Sequence, residues 1–208
     1  MLDILLDIID RLFKLKEYRD ERLRRVYQDL LKPAFEQLQS IHLDYLKMFE
    51  QAASLLPAAD RPPAEGARGE HDAGGYVSRM SDAAEYLRRQ RIEFEPVRTR
   101  LRSLTKELAT ARLTPEAAGF VGAVLRYFPT GLARAGGEPP PTPAADVLQA
   151  IDYWADAPGP DSGRNLAAVP ASRVRLKIDS VLRSLRGNWA DVCDTFAALT
   201  VATEADRG

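Results

Sequence analysis

Cysteine and histidine are scarce in this sequence of 208 residues, and their scarcity excludes several kinds of chemistry. Cys193 is the only cysteine, so an intramolecular disulfide is impossible and a reducing compartment is expected. The two histidines are His42 and His71, and neither has a second metal ligand one helical turn away. We therefore predict that the chain binds no metal and no other cofactor.

Long hydrophobic runs and an excess of one charge are also missing. The uncharged apolar runs fall well short of the roughly 20 residues that a transmembrane helix needs. Asp3, Asp7 and Asp10 interrupt the apolar N-terminal stretch, so no secretory signal is expected. The formal net charge of −1 gives no global attraction to nucleic acid or anionic lipid. These features predict a cytoplasmic protein.

Recognisable catalytic motifs are absent from the sequence as well. It contains neither the Gly-x-x-x-x-Gly-Lys loop nor a Gly-x-Gly-x-x-Gly that follows a strand, the usual phosphate-binding motifs. Cys193 lies in an amphipathic helical pattern with no histidine near it in sequence, which indicates a structural cysteine. We predict no catalytic residue. An enzyme whose site is assembled only by the fold stays an alternative.

The dominant pattern that is present is helical. Apolar residues make up 45% of the chain and recur at steps of three and four, with no sustained alternation typical of strands. The last such stripe contains Ile178, Leu182, Leu185, Trp189, Val192, Phe196 and Leu199. We predict an all-α fold, an irregular antiparallel bundle of about four long and two short helices. Leu182, Leu185, Trp189 and Phe196 are expected in its core.

Helix boundaries are marked by proline and by capping residues. Pro33 should kink a helix or start a new one, because it lacks a backbone N–H. Thr114-Pro115-Glu116 and Thr142-Pro143 are start signals that combine a capping hydroxyl with proline at the first helical position. Ser78 or Ser81 can cap one further helix and Ser172 the last one.

Three windows collect the helix breakers: 57–76, 129–143 and 157–171. They hold nine of the 13 glycines and 11 of the 14 prolines, so we predict flexible loops there. The window 57–76 is expected to be dispensable for folding. The predicted organisation is one helical-bundle domain over 1–208, with a frayed tail at 201–208.

The N-terminal helix carries more apolar surface than one neighbour can cover. Its main stripe comprises Leu2, Leu5, Leu6, Ile9, Leu12 and Phe13. Ile4, Ile8 and Leu15 lie on a second flank, which leaves only a narrow polar face. These three residues are the candidate interface with a partner protein or a second copy. The alternative is that the flank is covered within the chain.

A basic stripe runs along the helix expected at 78–112. It contains Arg88, Arg91, Arg98, Arg102 and Lys106. Such a stripe could follow a nucleic-acid backbone, which makes these residues the candidate nucleic-acid contacts. Glu95 lies in its middle, and arginines beside an apolar seam also pair with acids and cover apolar surface. Both interpretations stay open.

One segment carries a family-level resemblance. It runs from Tyr18 to Gln51 and combines a charged helix, a proline after paired apolar residues, and the run Ile41-His42-Leu43-Asp44-Tyr45. It is similar to segments of uncharacterised bacterial helical proteins, and the resemblance implies a helical fold without assigning an activity, a cofactor or a site residue.

These observations lead to one functional expectation and its alternatives. We expect a non-enzymatic helical interaction protein, a bacterial accessory or regulatory subunit, for example of an antiviral defence system, that acts through protein–protein contacts. A nucleic-acid-binding module that uses the arginine stripe is the alternative. An enzyme with a site not visible in sequence is the third possibility.

Overall fold

A computed structural model describes residues 11, 25, 27–58, 60, 74–89, 113–128, 143–156 and 165–205. The regular elements among these residues are all helical, which confirms the all-α prediction. In chain order they are a π-helical segment Tyr27–Leu31, α1 Lys32–Leu55, α2 with described residues 74–89, α3 Pro115–Tyr127, α4 Pro143–Ala155, a 3-10 turn Leu166–Ala168, and α5 Ala171–Ala205. None of the described helices is long and apolar enough to cross a bilayer.

The helix changes its winding at Pro33. In a regular α-helix the proline ring would collide with the carbonyl group of Asp29, four residues earlier. The wider π-helical turn Tyr27–Leu31 lies immediately before α1, in which Pro33 is the second residue. The interruption predicted at Pro33 therefore takes the form of a π-to-α transition.

The start signal of α3 acts as predicted, and α4 begins at the predicted proline, whereas the predicted cap Thr142 lies outside the described residues. The Thr114 hydroxyl oxygen accepts a hydrogen bond from the Ala117 N–H at 3.3 Å, and Pro115 is the first residue of α3. Proline is compatible with this position because the N–H that it lacks would have no partner inside the helix. α4 likewise begins at a proline, Pro143, which is buried.

The tail of the chain corrects one prediction. α5 continues unbroken through Gly187-Asn188 and ends at Ala205, so the frayed end predicted for 201–208 is wrong for 201–205. Thr203 is buried there and its hydroxyl donates to the Leu199 carbonyl oxygen at 2.7 Å. This buried contact explains why the last helical turn is ordered. Residues 206–208 lie outside the described part.

Two of the predicted loops are also shorter than expected. α2 is already helical at Gly74, ahead of the predicted caps Ser78 and Ser81, and Tyr76 is buried. Residues 166–168 form the 3-10 turn, and α5 begins at Ala171, one residue before the predicted Ser172. The remaining loop residues 59, 61–73, 129–142 and 157–164 lie outside the described residues.

The chain divides into two compact units, and the division falls within α1 after Tyr45 and within α5 after Arg183. Among the described residues, the first unit takes 11, 25, 27–45, 113–128 and 184–205, and the second takes 46–58, 60, 74–89, 143–156 and 165–183. That one domain spans 1–208 stays a prediction.

Each unit has its own buried apolar residues. In the first unit they include Leu31, Leu38, Ile41, Phe120, Val124, Leu185, Val192 and Leu199. In the second unit they include Phe49, Met80, Leu87, Val147, Ile151, Val174, Ile178 and Leu182. The core positions predicted for Leu182 and Leu185 are confirmed.

Candidate functional site

Five rings form a stacked row in the first unit, which we call the aromatic column. In spatial order the column runs Tyr27, Phe196, Phe35, Trp189 and His42. Phe35 and His42 are seven residues apart on α1, and Trp189 and Phe196 are seven apart on α5. Seven residues are close to two helical turns, so each pair lies on one face of its helix. The rings alternate between the two helices, which run antiparallel here.

The planes of the stacked rings are nearly parallel. Phe35 and Phe196 are face to face, with ring centroids 3.9 Å apart and planes 1° apart. Phe35 and Trp189 are separated by 5.5 Å and 14°, and His42 and Trp189 by 4.8 Å and 11°. Tyr27 completes the row at 5.7 Å and 23° from Phe196. Aromatic pairs with ring centroids about 4.5–7 Å apart, as in the other three stacks, contribute roughly 0.5–1.5 kcal/mol beyond their buried area, so these stacks stabilise the register of α1 against α5.

α3 supplies rings at steeper angles on a further side of the column. Phe120 lies 5.5 Å from Phe196 and 6.5 Å from Phe35, each at 54°. Tyr127 meets His42 edge-on at 5.7 Å and Trp189 at 6.1 Å. Phe120 and Tyr127 are again seven residues apart. One apolar face of α3 therefore closes the column along most of its length.

The aromatic column lies at the edge of the hydrophobic core of the first unit and not at its centre. Tyr27, Phe35, Trp189 and Phe196 are half-buried, whereas His42 and the α3 rings are buried. The prediction that Trp189 and Phe196 are core residues is therefore wrong in degree. They pack against other rings, but part of each side chain remains open to solvent.

His42 is the polar member of the column. It is 6% exposed, and its Nδ1 atom is hydrogen-bonded to the Tyr127 hydroxyl at 2.9 Å. Burial lowers the pKa of His42 from its ordinary value of 6.5, and the nearby positive charge of Arg186 lowers it further. The ring of His42 is therefore covered by Trp189, and one of its two nitrogens has a hydrogen-bond partner.

The other titratable groups around His42 keep their protons. Burial raises the pKa of Tyr127 and of Tyr45, which lies beside it with ring centroids 6.5 Å apart. Cys193 on α5 is half-buried, and burial followed by the carboxylate of Asp194 raises the pKa of its thiol. A raised pKa is the opposite of what an activated cysteine needs. Of these groups, only His42 has a lowered pKa.

The structure also answers the search for metal ligands within its described part. Residues 27–58, 74–89, 113–128, 143–156 and 165–205 contain no cluster of three or more histidine, cysteine, aspartate or glutamate side chains that could hold a metal ion. The prediction that the chain binds no cofactor is not tested by this finding.

The predicted interface and most of the predicted basic stripe lie outside the described residues. This applies to Ile4, Ile8, Leu15, Arg91, Arg98, Arg102 and Lys106. Arg88 is described, on α2, where its Nη1 atom is 3.8 Å from Glu85 Oε2. Arg89 contacts the other oxygen of Glu85 at 3.4 Å. At Arg88 the contacts match the salt-bridged interpretation, and such solvent-exposed pairs contribute little stability.

Several large apolar side chains face solvent outside the column. In the second unit, Tyr153 of α4 is 76% exposed and Leu176 of α5 is 65% exposed. In the first unit, Leu43 and Val201 are exposed. Single exposed apolar residues are common, but a tyrosine with most of its ring in water is a typical contact residue of protein interfaces.

Sequence reasoning missed two features of the site. Tyr127 was not assigned to the apolar face of α3, although it follows Phe120 by the same seven residues that relate Phe35 to His42. The alternation of rings between α1 and α5 was also missed. The heptad spacing on each helix was the available signal, but it does not state which helix faces which.

Comparison of the chain with protein-family models, curated proteins and solved structures found no match.

Proposed function

We propose that this chain is a non-enzymatic helical interaction protein that works by presenting helix surfaces to other proteins. The observation that carries the proposal is the exposure of Tyr153 on α4 and of Leu176 on α5. Tyrosine combines a large apolar ring with a polar tip and two rotatable bonds, so it gains contact area at a low cost in conformational entropy.

The tight packing of the first unit also supports this role. The aromatic column holds α1 against α5 through a series of stacked rings, and Phe120 and Tyr127 of α3 close it. Such packing keeps backbone segments in one register, which limits the conformational entropy lost on binding. The apolar flank of the N-terminal segment, with Ile4, Ile8 and Leu15, adds a second candidate surface by its sequence pattern.

The cellular compartment and the biological role are proposed from the sequence. We assign the chain to the cytoplasm because its single cysteine suits a reducing compartment. We further propose that it is a bacterial accessory or regulatory subunit, of the kind found in antiviral defence systems, and this setting is suggested only by the resemblance noted for residues 18–51.

The test measures assembly in solution. Sedimentation velocity of the full chain over a range of concentrations should show a species heavier than the 23.1 kDa monomer. The double variant Tyr153→Glu plus Leu176→Glu should reduce that species while the melting temperature stays unchanged, because exposed substitutions alter stability by about 0.5 kcal/mol or less.

Val201→Glu is the matched control, since it places the same charge at another exposed apolar position. The control should assemble as the wild type does. A chain that stays monomeric at every concentration, and that binds the same set of proteins with and without the double substitution, would overturn the proposal for α4 and α5.

A further inference from the structure

His42 occupies an unusual place for a histidine, at the end of a row of stacked rings. Its flat face lies on Trp189 of α5, and its Nδ1 atom is hydrogen-bonded to Tyr127 of α3. The imidazole of His42 on α1 thus contacts both α5 and α3. We propose that His42 makes the packing of α1 sensitive to pH. Adding one proton to its ring at mildly acidic pH loosens the contacts of α1 with α3 and α5.

Among the described residues, the groups that face His42 favour its neutral form. From α5 comes Arg186, a second positive charge. From α3 comes Tyr127, whose hydroxyl remains protonated, and Tyr45 follows on α1 itself. Among the described residues, no carboxylate forms an ion pair with His42 that would stabilise an imidazolium. The exposed face of the ring is too small to let water solvate the added charge, since only 6% of the residue is accessible.

Protonation therefore changes two contacts at once. The neutral ring offers one donor and one acceptor nitrogen, whereas the imidazolium has two donors. The Tyr127 oxygen must then accept from Nδ1, and the tyrosine proton has to turn to another acceptor. The buried charge also opposes Arg186. The face of Trp189 attracts a cation and offsets part of this cost, but burial and Arg186 still hold the pKa of His42 below its ordinary value.

The sign of the effect on stability follows from that direction. The unfolded chain takes up a proton at about pH 6.5, and the folded chain does so at a lower pH. Between the two values the unfolded state binds more protons, so the stability of the folded state decreases as the pH decreases through this window. The contribution of His42 is fully present above about pH 6.5 and is lost as the pH falls through the lowered pKa of the folded state.

The fluorescence of Trp189 can report the protonation of His42. It has two tryptophans, and Trp154→Phe leaves Trp189, the residue that stacks on His42, as the only one. An imidazolium quenches indole emission more strongly than neutral imidazole does. In this background, emission should fall in one reversible transition with a midpoint below pH 6.5, while far-ultraviolet circular dichroism stays helical. His42→Gln should abolish the transition, and Arg186→Gln should move its midpoint upward.

The second histidine provides the matched control. His71→Gln removes the same type of group elsewhere and should leave the Trp189 transition unchanged. In the wild type, NMR titration of the imidazole protons should give His42 a midpoint below pH 6.5, which checks the assignment even if His42→Gln fails to fold. Hydrogen exchange, corrected for its intrinsic dependence on pH, should rise in 35–45 and 186–196 as His42 titrates.

Three results would overturn the proposal. The first is a His42 midpoint at or above pH 6.5. The second is a Trp189 transition that persists in folded His42→Gln. The third is a His42 titration that leaves both Trp189 emission and hydrogen exchange unchanged, because the proton would then enter without loosening the contacts of α1.

Discussion

At the scale of single residues, burial separates positions that look alike in the sequence. Leu176 and Leu185 both belong to the amphipathic α5, yet Leu176 is largely exposed and Leu185 is buried in the first unit. The periodicity of the last helix placed Leu185 in the core, and Trp189 by the same rule. It overestimated the burial of Trp189, because a stacked ring can hold one edge in water while its face is covered.

Truncation of Leu185 should measure this difference. We expect Leu185→Ala to lower the free energy of unfolding by about 2–5 kcal/mol, through lost apolar burial and the cavity left behind. Leu176→Ala on the same helix should cost about 0.5 kcal/mol or less. Urea unfolding of both variants beside the wild type checks the prediction. Equal losses in the two variants would show that the C-terminal half of α5 does not pack within the first unit as described.

At the scale of elements, the ends of the loop predicted at 57–76 form hydrogen bonds with other parts of the chain. Arg175 of α5 donates from Nη2 to the carbonyl oxygens of Leu56 at 3.2 Å and Pro57 at 2.7 Å. Asp60 accepts from the Ser172 N–H at 2.9 Å, in the first turn of α5. These contacts lie within the second unit and fasten the chain after α1 to the start of α5. The expectation that all of 57–76 is dispensable for folding stays a prediction, and these contacts at its edges argue for testing 61–73 alone.

Tyr76 should be the most sensitive residue of that window. Its hydroxyl donates to the Val169 carbonyl oxygen at 2.6 Å in a buried setting. Tyr76→Phe should lower the free energy of unfolding by roughly 1 kcal/mol, because the Val169 oxygen loses its donor. Replacing 61–73 by a shorter Gly/Ser linker that still reaches should leave the melting temperature nearly unchanged, since closure entropy varies slowly with length. If thermal melts showed no loss for Tyr76→Phe and a large loss for the replacement of 61–73, both predictions would be contradicted.

The N-terminal segment poses a second question at this scale, and it stays open because Ile4, Ile8 and Leu15 lie outside the described residues. If Ile4 and Ile8 meet another protein, changing both to glutamate should abolish assembly and leave the monomer folded. If they are buried within the chain, two carboxylates placed there should unfold or aggregate it. Light scattering beside a melting curve distinguishes the two. A folded variant with unchanged assembly and partner binding would remove this interface.

At the scale of the whole molecule, the near-neutral charge bears on the nucleic-acid alternative. With a formal net charge of −1, any binding has to come from a local stripe. If that alternative holds, changing Arg88, Arg91, Arg98 and Arg102 to glutamine should abolish binding to a labelled duplex. The wild-type affinity should fall steeply with salt, because counterions are released. Arg79→Gln on α2 is a suitable control. Affinity that ignores salt and these substitutions would eliminate the stripe.

Local sequence signals are enough to predict the helical class, the helix starts at Pro115 and Pro143, and an interruption at Pro33, although not its form as a π-to-α transition. These features depend on residues within a few positions of one another, through backbone sterics, capping and apolar period. Tertiary structure alone decided that Phe35 stacks on Phe196, that His42 lies between Trp189 and Tyr127, and that Thr203 and Tyr76 are buried. Each of these contacts joins or covers segments far apart in the chain. Periodicity shows which face of a helix is apolar, but not which helix will meet it.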